Sequence, residues 1–164
     1  MEKVRSFTNI EFNDFVSDEL LKITDLELMI LKGHILTEFA LNCYLESISR
    51  NDSSDFFKEN FSYSIKLKLF SHFGDNSEKG QLLIKAFGTL NKLRNTIAHS
   101  LTINEQLLVE FISLTQKMGI NNKLLNKVKD NQMHQFVLCI SFYCGMIFGG
   151  YVKIRDVKIK KTHS

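Results

Sequence analysis

The sequence predicts an all-α protein, and three observations carry that expectation. The 164 residues include no proline, and the eight glycines contain one adjacent pair, Gly149-Gly150. Helix entries and loops normally use proline, so long helices joined by short turns are expected. Apolar residues recur at intervals of three and four, and no alternation of period two is sustained, except over Val152 to Ile159. The fourteen phenylalanines, with no tryptophan beside them, supply apolar volume that demands no polar partner.

Asn9 to about Ile23 reads as a first amphipathic helix, with Phe12, Phe15, Leu20 and Leu21 on its buried side. Thr24-Asp-Leu-Glu27 has the form of a capping box, which satisfies free backbone N–H groups at a helix start. It is expected to launch a long helix to about Ser49. In that helix the polar residues His34, Glu38, Asn42 and Glu46 fall at every fourth position, forming one narrow stripe. Residues 50–60 are a polar connection. Tyr63 to Phe73 is a shorter helix stopped by Gly74-Asp-Asn.

Ser77 then caps a helix to about His99. Leu83, Phe87, Leu90, Leu93 and Ile97 form its core side, with Gln81, Lys85, Lys92, Asn95 and His99 on the opposite one. Asn104 caps a helix to about Met118, and Asn121-Asn122 begins another that reaches the C-terminal apolar run. The expected architecture is an antiparallel helical bundle of five to six helices, one domain over 1–152 with a basic tail at 153–164.

Phe136 to Val152 is a run of seventeen residues without charge, just short of a typical membrane span and followed by basic residues. Ser141, Gly145, Gly149 and Gly150 dilute it, and the preceding helices need a partner for their apolar sides. The expected reading is a buried helix, not a tail anchor. Cys43, Cys139 and Cys144 lie in apolar runs, their number is odd, and the first residues do not resemble a signal peptide. A reducing cytoplasm with buried free thiols follows as the expectation. The five histidines are scattered and no Cys-x2-Cys pair occurs, so no metal or cofactor is expected.

Net charge is +3 but unevenly placed: residues 1–60 balance at −6 and residues 61–164 at +9. A basic half suits a polyanion, though solvated helix faces give the same count. No Gly-x4-Gly-Lys-Ser/Thr loop supports nucleoside triphosphate hydrolysis. Nor does a short basic recognition helix follow a tight turn, as a helix-turn-helix reader requires.

The segment with most chemistry is Asn91-Lys-Leu-Arg-Asn-Thr-Ile-Ala-His99. Arginine is a permanent cation whose fork fits phosphate oxygens, and histidine takes and gives protons near neutral pH. Arg94 and His99 together are a minimum kit for cleaving a phosphodiester without a metal. The alternative is two cations closing a helix, where they suit the negative end of its dipole.

This Arg-Asn-x3-His segment, late in the middle of an all-α domain with a long second helix, resembles the HEPN superfamily (higher eukaryotes and prokaryotes nucleotide-binding). Leu31-Lys-Gly-His-Ile-Leu-Thr-Glu-Phe-Ala40 is similar to the second helix of its mannitol-operon-repressor-like branch. The resemblance implies a homodimeric, RNA-cleaving or RNA-binding domain, toxin or antiviral effector, restrained by a partner protein. By that pattern His99 handles protons, Arg94 steadies phosphoryl charge and Asn95 orients substrate or histidine. Lys92 contacts substrate, and Glu38 and His34 complete the cleft. A plain solvated stripe is the other reading of those last two. Non-catalytic regulators are the alternative function. Relatives silenced by nucleotide transfer carry a tyrosine two residues after the histidine; here that position is Leu101.

Helical geometry leaves one question open. At about 100° per residue, Arg94 and His99 stand about 140° apart on an ideal helix, and Arg94 falls among core positions. Either the helix breaks before His99, or the arginine reaches round, or it serves a partner protomer, or it is an interior ion-paired arginine.

Overall fold

The computed structural model describes residues 2–49, 60–75, 77–100 and 102–162. Among these the chain is all-helical, with eight helices: α1 (Glu2–Arg5), α2 (Asn9–Leu21), α3 (Leu26–Ile48), α4 (Tyr63–Phe73), α5 (Glu78–Ser100), α6 (Glu105–Lys117), α7 (Asn122–Lys127) and α8 (Gln132–Thr162). The count exceeds the expected five to six because α1 and α7, of four and six residues, are too short to leave an apolar period in sequence. Most of the expected connection at 50–60 lies outside the described residues.

Local polar side chains set the helix starts. Thr8, not Thr24, forms the capping box: its hydroxyl accepts from Glu11 N at 3.2 Å, and Glu11 Oε2 accepts from Thr8 N at 2.7 Å. At the start of α3, Asp25 Oδ1 accepts from Leu28 N at 2.7 Å. A carboxylate caps as well as a hydroxyl and adds negative charge at the positive end of the helix, so the start moves one residue on from Thr24. Ser77 and Asn104 cap α5 and α6 where expected.

The stretch from Asn121 is two helices rather than one. Asn121 caps α7, and after Lys127 a turn leads to Asn131, whose Oδ1 accepts from His134 N at 3.0 Å and opens α8. Val152 to Ile159, the one place with alternating character, is helical. α8 runs without interruption through Thr162, across the expected start of the tail.

α8 is long and apolar enough, by length and composition, to cross a membrane. In the fold it packs between α2 and α3, with Phe136, Ile140, Tyr143, Cys144, Ile147 and Phe148 buried. Small and polar residues at four-residue spacing let α2 approach it closely. Asn9 lies against Gly149, Asn13 against Gly145, and Ser17 Oγ is 3.0 Å from Ser141 Oγ. The numbers rise along one helix as they fall along the other, so the pair is antiparallel. On the α3 side, Gly33 admits the ring of Phe136, 2.9 Å from where a Cβ would stand.

Phe12, buried from α2, stacks on Phe148 and tilts against Phe39. Tyr143 meets Phe87 and Phe111, which ties α8 to the α5–α6 pair. Leu21, expected on the buried side of α2, is 53% exposed, because Val16 takes the place beside Phe12 and Leu20.

Arg155 closes the N-terminus onto α8. Its Nη1 donates to the carbonyls of Arg5 and Phe7, at 2.8 and 3.0 Å, and Tyr151 Oη donates to the same Arg5 carbonyl. This part of the basic stretch therefore has an internal structural task.

Candidate functional site

α3 and α5 run antiparallel: His34 faces Asn91, while Tyr44 lies near Gly80 and Leu83. The start of α4 leans over the gap between them, and a cleft of about 370 Å³ opens there. His34 and Glu38 of α3, Ser62 and Ser64 at the head of α4, and Arg94 and Asn95 of α5 line it, with Asn91 and Tyr63 at the base.

His34 forms part of the base and is 6% exposed. Its Nε2 is 3.2 Å from Asn91 Oδ1. An amide oxygen only accepts, so in this arrangement the ring carries its hydrogen on Nε2 and keeps a lone pair on Nδ1. The Tyr63 ring lies against the imidazole with centroids 4.2 Å apart. Thr37 Oγ1 donates to the His34 carbonyl at 2.9 Å, so the Tyr63 hydroxyl, 3.2 Å away, supplies the hydrogen of their shared bond. Burial pushes the Tyr63 phenol far up, which keeps it a neutral donor.

Burial also holds the His34 pKa below its ordinary value. The charges of Arg94 and Lys66 act in the same direction, against Glu38 and the Asn91 hydrogen bond. Glu38 accepts from Lys66 Nζ at 2.5 Å, and the lysine side chain is 9% exposed. The carboxylate is thus committed to a buried ammonium and is not one unit of a solvated stripe.

Arg94 is exposed, which removes the interior ion-paired arrangement. Its Nη1 donates to Asn95 Oδ1 at 3.1 Å, and among the described residues no carboxylate pairs with it.

α5 continues unbroken to Ser100, so the helix does not turn His99 toward Arg94. His99 is exposed in the last turn, where a cation suits the helix dipole. Neither His99 nor Lys92 lines the cleft. Of the six site residues expected from sequence, the cleft gathers Arg94, Asn95, Glu38 and His34.

Asn91, Tyr63, Ser62 and Ser64 were not singled out from sequence. Asn91 lies in the same segment as Arg94, four residues before Asn95 and so on the same helix face, which is the signal the sequence offers. The α4 residues carried none, since nothing local marks them as neighbours of α5. Among the described residues no three His, Cys, Asp or Glu side chains group as metal ligands would.

Comparison with family models, curated proteins and solved structures finds no match to this chain. What the arrangement offers chemically is a polar concavity with a neutral imidazole in its base, a permanent cation on its wall and two hydroxyls at its mouth.

Proposed function

We propose that the chain is a metal-independent endoribonuclease of the HEPN type, working as a homodimer. The observation that carries this reading is the state of Arg94: an exposed guanidinium, free of any carboxylate among the described residues and set on the wall of a polar cleft. An arginine placed so is available to phosphoryl oxygens. His99 lies five residues on along the same helix, exposed and available for proton transfer. The about 140° between them is bridged by a second copy, so that one protomer's arginine and its partner's histidine address one phosphate.

In the proposed reaction the ribose 2′-oxygen attacks the adjacent phosphorus and its proton passes to the His99 imidazole. The bond from phosphorus to the 5′-oxygen breaks, and the departing oxygen takes up a proton. The products are a 2′,3′-cyclic phosphate and a 5′-hydroxyl. Arg94 meets the charge on the non-bridging oxygens, and Asn95, which accepts from Arg94, fixes the guanidinium plane. The expected setting is a cytoplasmic toxin or antiphage effector held by an inhibitor protein.

The test is total RNA incubated with purified protein in EDTA, comparing native and His99→Ala chains. Cleavage with cyclic-phosphate ends that His99→Ala abolishes supports the reading; cleavage that requires added magnesium overturns it. For the dimer, Arg94→Ala and His99→Ala proteins are mixed after subunit exchange, and recovered activity reports one intact composite pair.

One observation favours a second reading. Within a single chain His99 stands outside the cleft, as it would in a non-catalytic regulator resembling the mannitol operon repressor, which binds protein or nucleic acid without cutting. RNA retained by the protein but recovered intact identifies that case.

A further inference from the structure

We propose that one end of the bundle, formed by the tip of α8 with the start of α2 and the end of α4, docks on an anionic lipid bilayer surface. The tip of α8 sinks among the headgroups. This goes beyond the ribonuclease reading and does not rest on it.

Packing brings these three helix ends together. α3 and α8 run parallel, since Gly33 meets Phe136 and Gly150 meets Tyr44. α4 runs the same way, with Tyr63 against His34 and Phe70 against Tyr44. α2 opposes them, because Asn9 lies against Gly149. Ile10 and Phe73, the most exposed large apolar side chains among the described residues at 75% and 71%, both belong to this end. The cleft opens at the level of His34, about 20 Å back along α3 from Ser49 at 1.5 Å per residue. Docking by this end therefore leaves the cleft open.

The tip of α8 has an unusual surface. Arg155 ties the helix to the Arg5 and Phe7 carbonyls, and beyond it Asp156, Val157, Lys158, Ile159 and Lys160 are all exposed. Five consecutive residues at about 100° each go right round a helix, so the described residues bury no side of this turn. Val157 and Ile159 stand about 160° apart on it. A partner lying along the helix meets one of them. A fluid layer into which the tip sinks meets both.

Charge sets the sign of that layer. Residues 153–162 carry five cations against one acid, Asp156, whose Oδ1 accepts from Arg155 Nε at 3.1 Å. Such a stretch gains from any polyanion, and its other residues decide between two. Nucleic acid rewards arginine forks and aromatic stacking. Here the one arginine is engaged by backbone carbonyls, and no phenylalanine, tyrosine or tryptophan follows Tyr151. A bilayer interface rewards interleaved lysine and aliphatic residues. The aliphatic groups reach the acyl boundary while the lysine stems carry their charges to the headgroup phosphates. The long apolar run of α8 takes no part, because Phe136, Ile140, Tyr143 and Phe148 are buried in the core.

The chain has no tryptophan, so Ile159→Trp and Leu28→Trp each install a single fluorophore, one at the docking end and one at the opposite end of α3. Both positions are exposed. The full chain is mixed with vesicles of phosphatidylcholine alone, or of phosphatidylcholine with phosphatidylglycerol, and sedimented. Binding is expected to the mixed vesicles only, and brominated acyl chains should quench the fluorophore at 159 and not at 28. Lys153→Gln with Lys160→Gln should weaken binding about 20–30-fold, from the usual worth of a lysine near an anionic surface. Val157→Ser with Ile159→Ser should weaken it about tenfold, with helical circular dichroism unchanged in both variants. Equal binding to neutral vesicles overturns the proposal, as does quenching at 28 alone or binding that both double variants leave intact. Protein that ignores vesicles but retains a homopolymer RNA through Lys153 and Lys160 assigns the tip to nucleic acid and overturns it too. RNA cleavage in EDTA without vesicles tests the ribonuclease reading separately.

Discussion

His34 Nε2 lies 3.2 Å from Asn91 Oδ1 and joins α3 to α5 across the base of the cleft. The bond holds together a neutral histidine and an amide, and the stability that the buried His34 contributes follows pH. His34 titrates below its ordinary 6.5 in the folded protein, chiefly through burial. An unfolded chain takes up this proton near 6.5 while the folded one does not. The contribution to stability is therefore complete above that pH and is lost as pH falls toward the folded value, by at most about 1.4 kcal/mol per pH unit. Urea denaturation at about pH 7.5 and about pH 5.5 should show this loss, and His34→Gln should remove that part of it. An identical slope in the variant would contradict the assignment.

Arg94→Ala and His99→Ala should both leave helical circular dichroism and melting unchanged, since both side chains are exposed. RNA cleavage should fall about 10²–10³-fold for the arginine, as for other charge-stabilising donors. For the histidine the fall should be about 10²–10⁴-fold, as for a proton-transfer group. A fully active His99→Ala protein would remove the catalytic role.

Two glycines should answer substitution with opposite signs. A Cβ on Gly33 stands 2.9 Å from the fully buried Phe136 ring and 3.1 Å from Ile140, so Gly33→Val should cost about 1–3 kcal/mol by overpacking. Gly88, mid-way along α5, has nothing within 4 Å of such a carbon, and Gly88→Ala should stabilise by about 0.5–1 kcal/mol through helix propensity. Chemical denaturation of the two variants measures both effects.

The three cysteines should be silent in the native protein. Burial pushes Cys43 and Cys139 up to about 12 and moves Cys144 in the same direction, so the reactive thiolate is scarce at neutral pH. A thiol-specific chromogenic reagent should label none of them until the chain unfolds. Rapid labelling under native conditions would place at least one at the surface.

Arg155→Ala should loosen the N-terminal end. It removes charged donors to the Arg5 and Phe7 carbonyls, which are worth about 1.5–3 kcal/mol in comparable settings. Hydrogen exchange at Ser6 and Phe7, whose amides bond back to Lys3 and Val4, should accelerate ahead of the core.

Much of the fold was legible because the signals were local. Tyr63 to Phe73 holds an apolar period that Gly74-Asp-Asn stops, and α4 begins and ends where those signals put it, with Ser62 as the cap that the structure adds. α5 and α6 follow the same logic from Ser77 and Asn104. The break between α7 and α8 was not legible, since neither proline nor glycine marks it. Asn131 makes it by capping, and an asparagine inside a polar stretch does the same service to many other conformations. The Thr8 box was present in the same form as the Thr24 one; choosing between them required the competing carboxylate of Asp25.

The site divides along the same line. Arg94 and Asn95 were readable as neighbours on one helix turn, and His34 and Glu38 as neighbours on another. That the two pairs share a cleft depends on α3 and α5 lying antiparallel, which no short window encodes. The separation of His99 from the cleft follows from an unbroken helix, a consequence of having no glycine or proline between Leu93 and Ser100.

The antiparallel seam between α2 and α8 also sets an order of events during synthesis. Ser17 and Ser141 are 124 positions apart, and Arg155 reaches back 150 to Arg5. Until α8 leaves the ribosome, Phe12 lacks the Phe148 ring it stacks on, and Gly33 faces water where Phe136 belongs. Long-range closure of this kind is slow compared with helix formation. The nascent chain therefore waits with apolar faces open to chaperones, and the core closes only when α8 packs between α2 and α3.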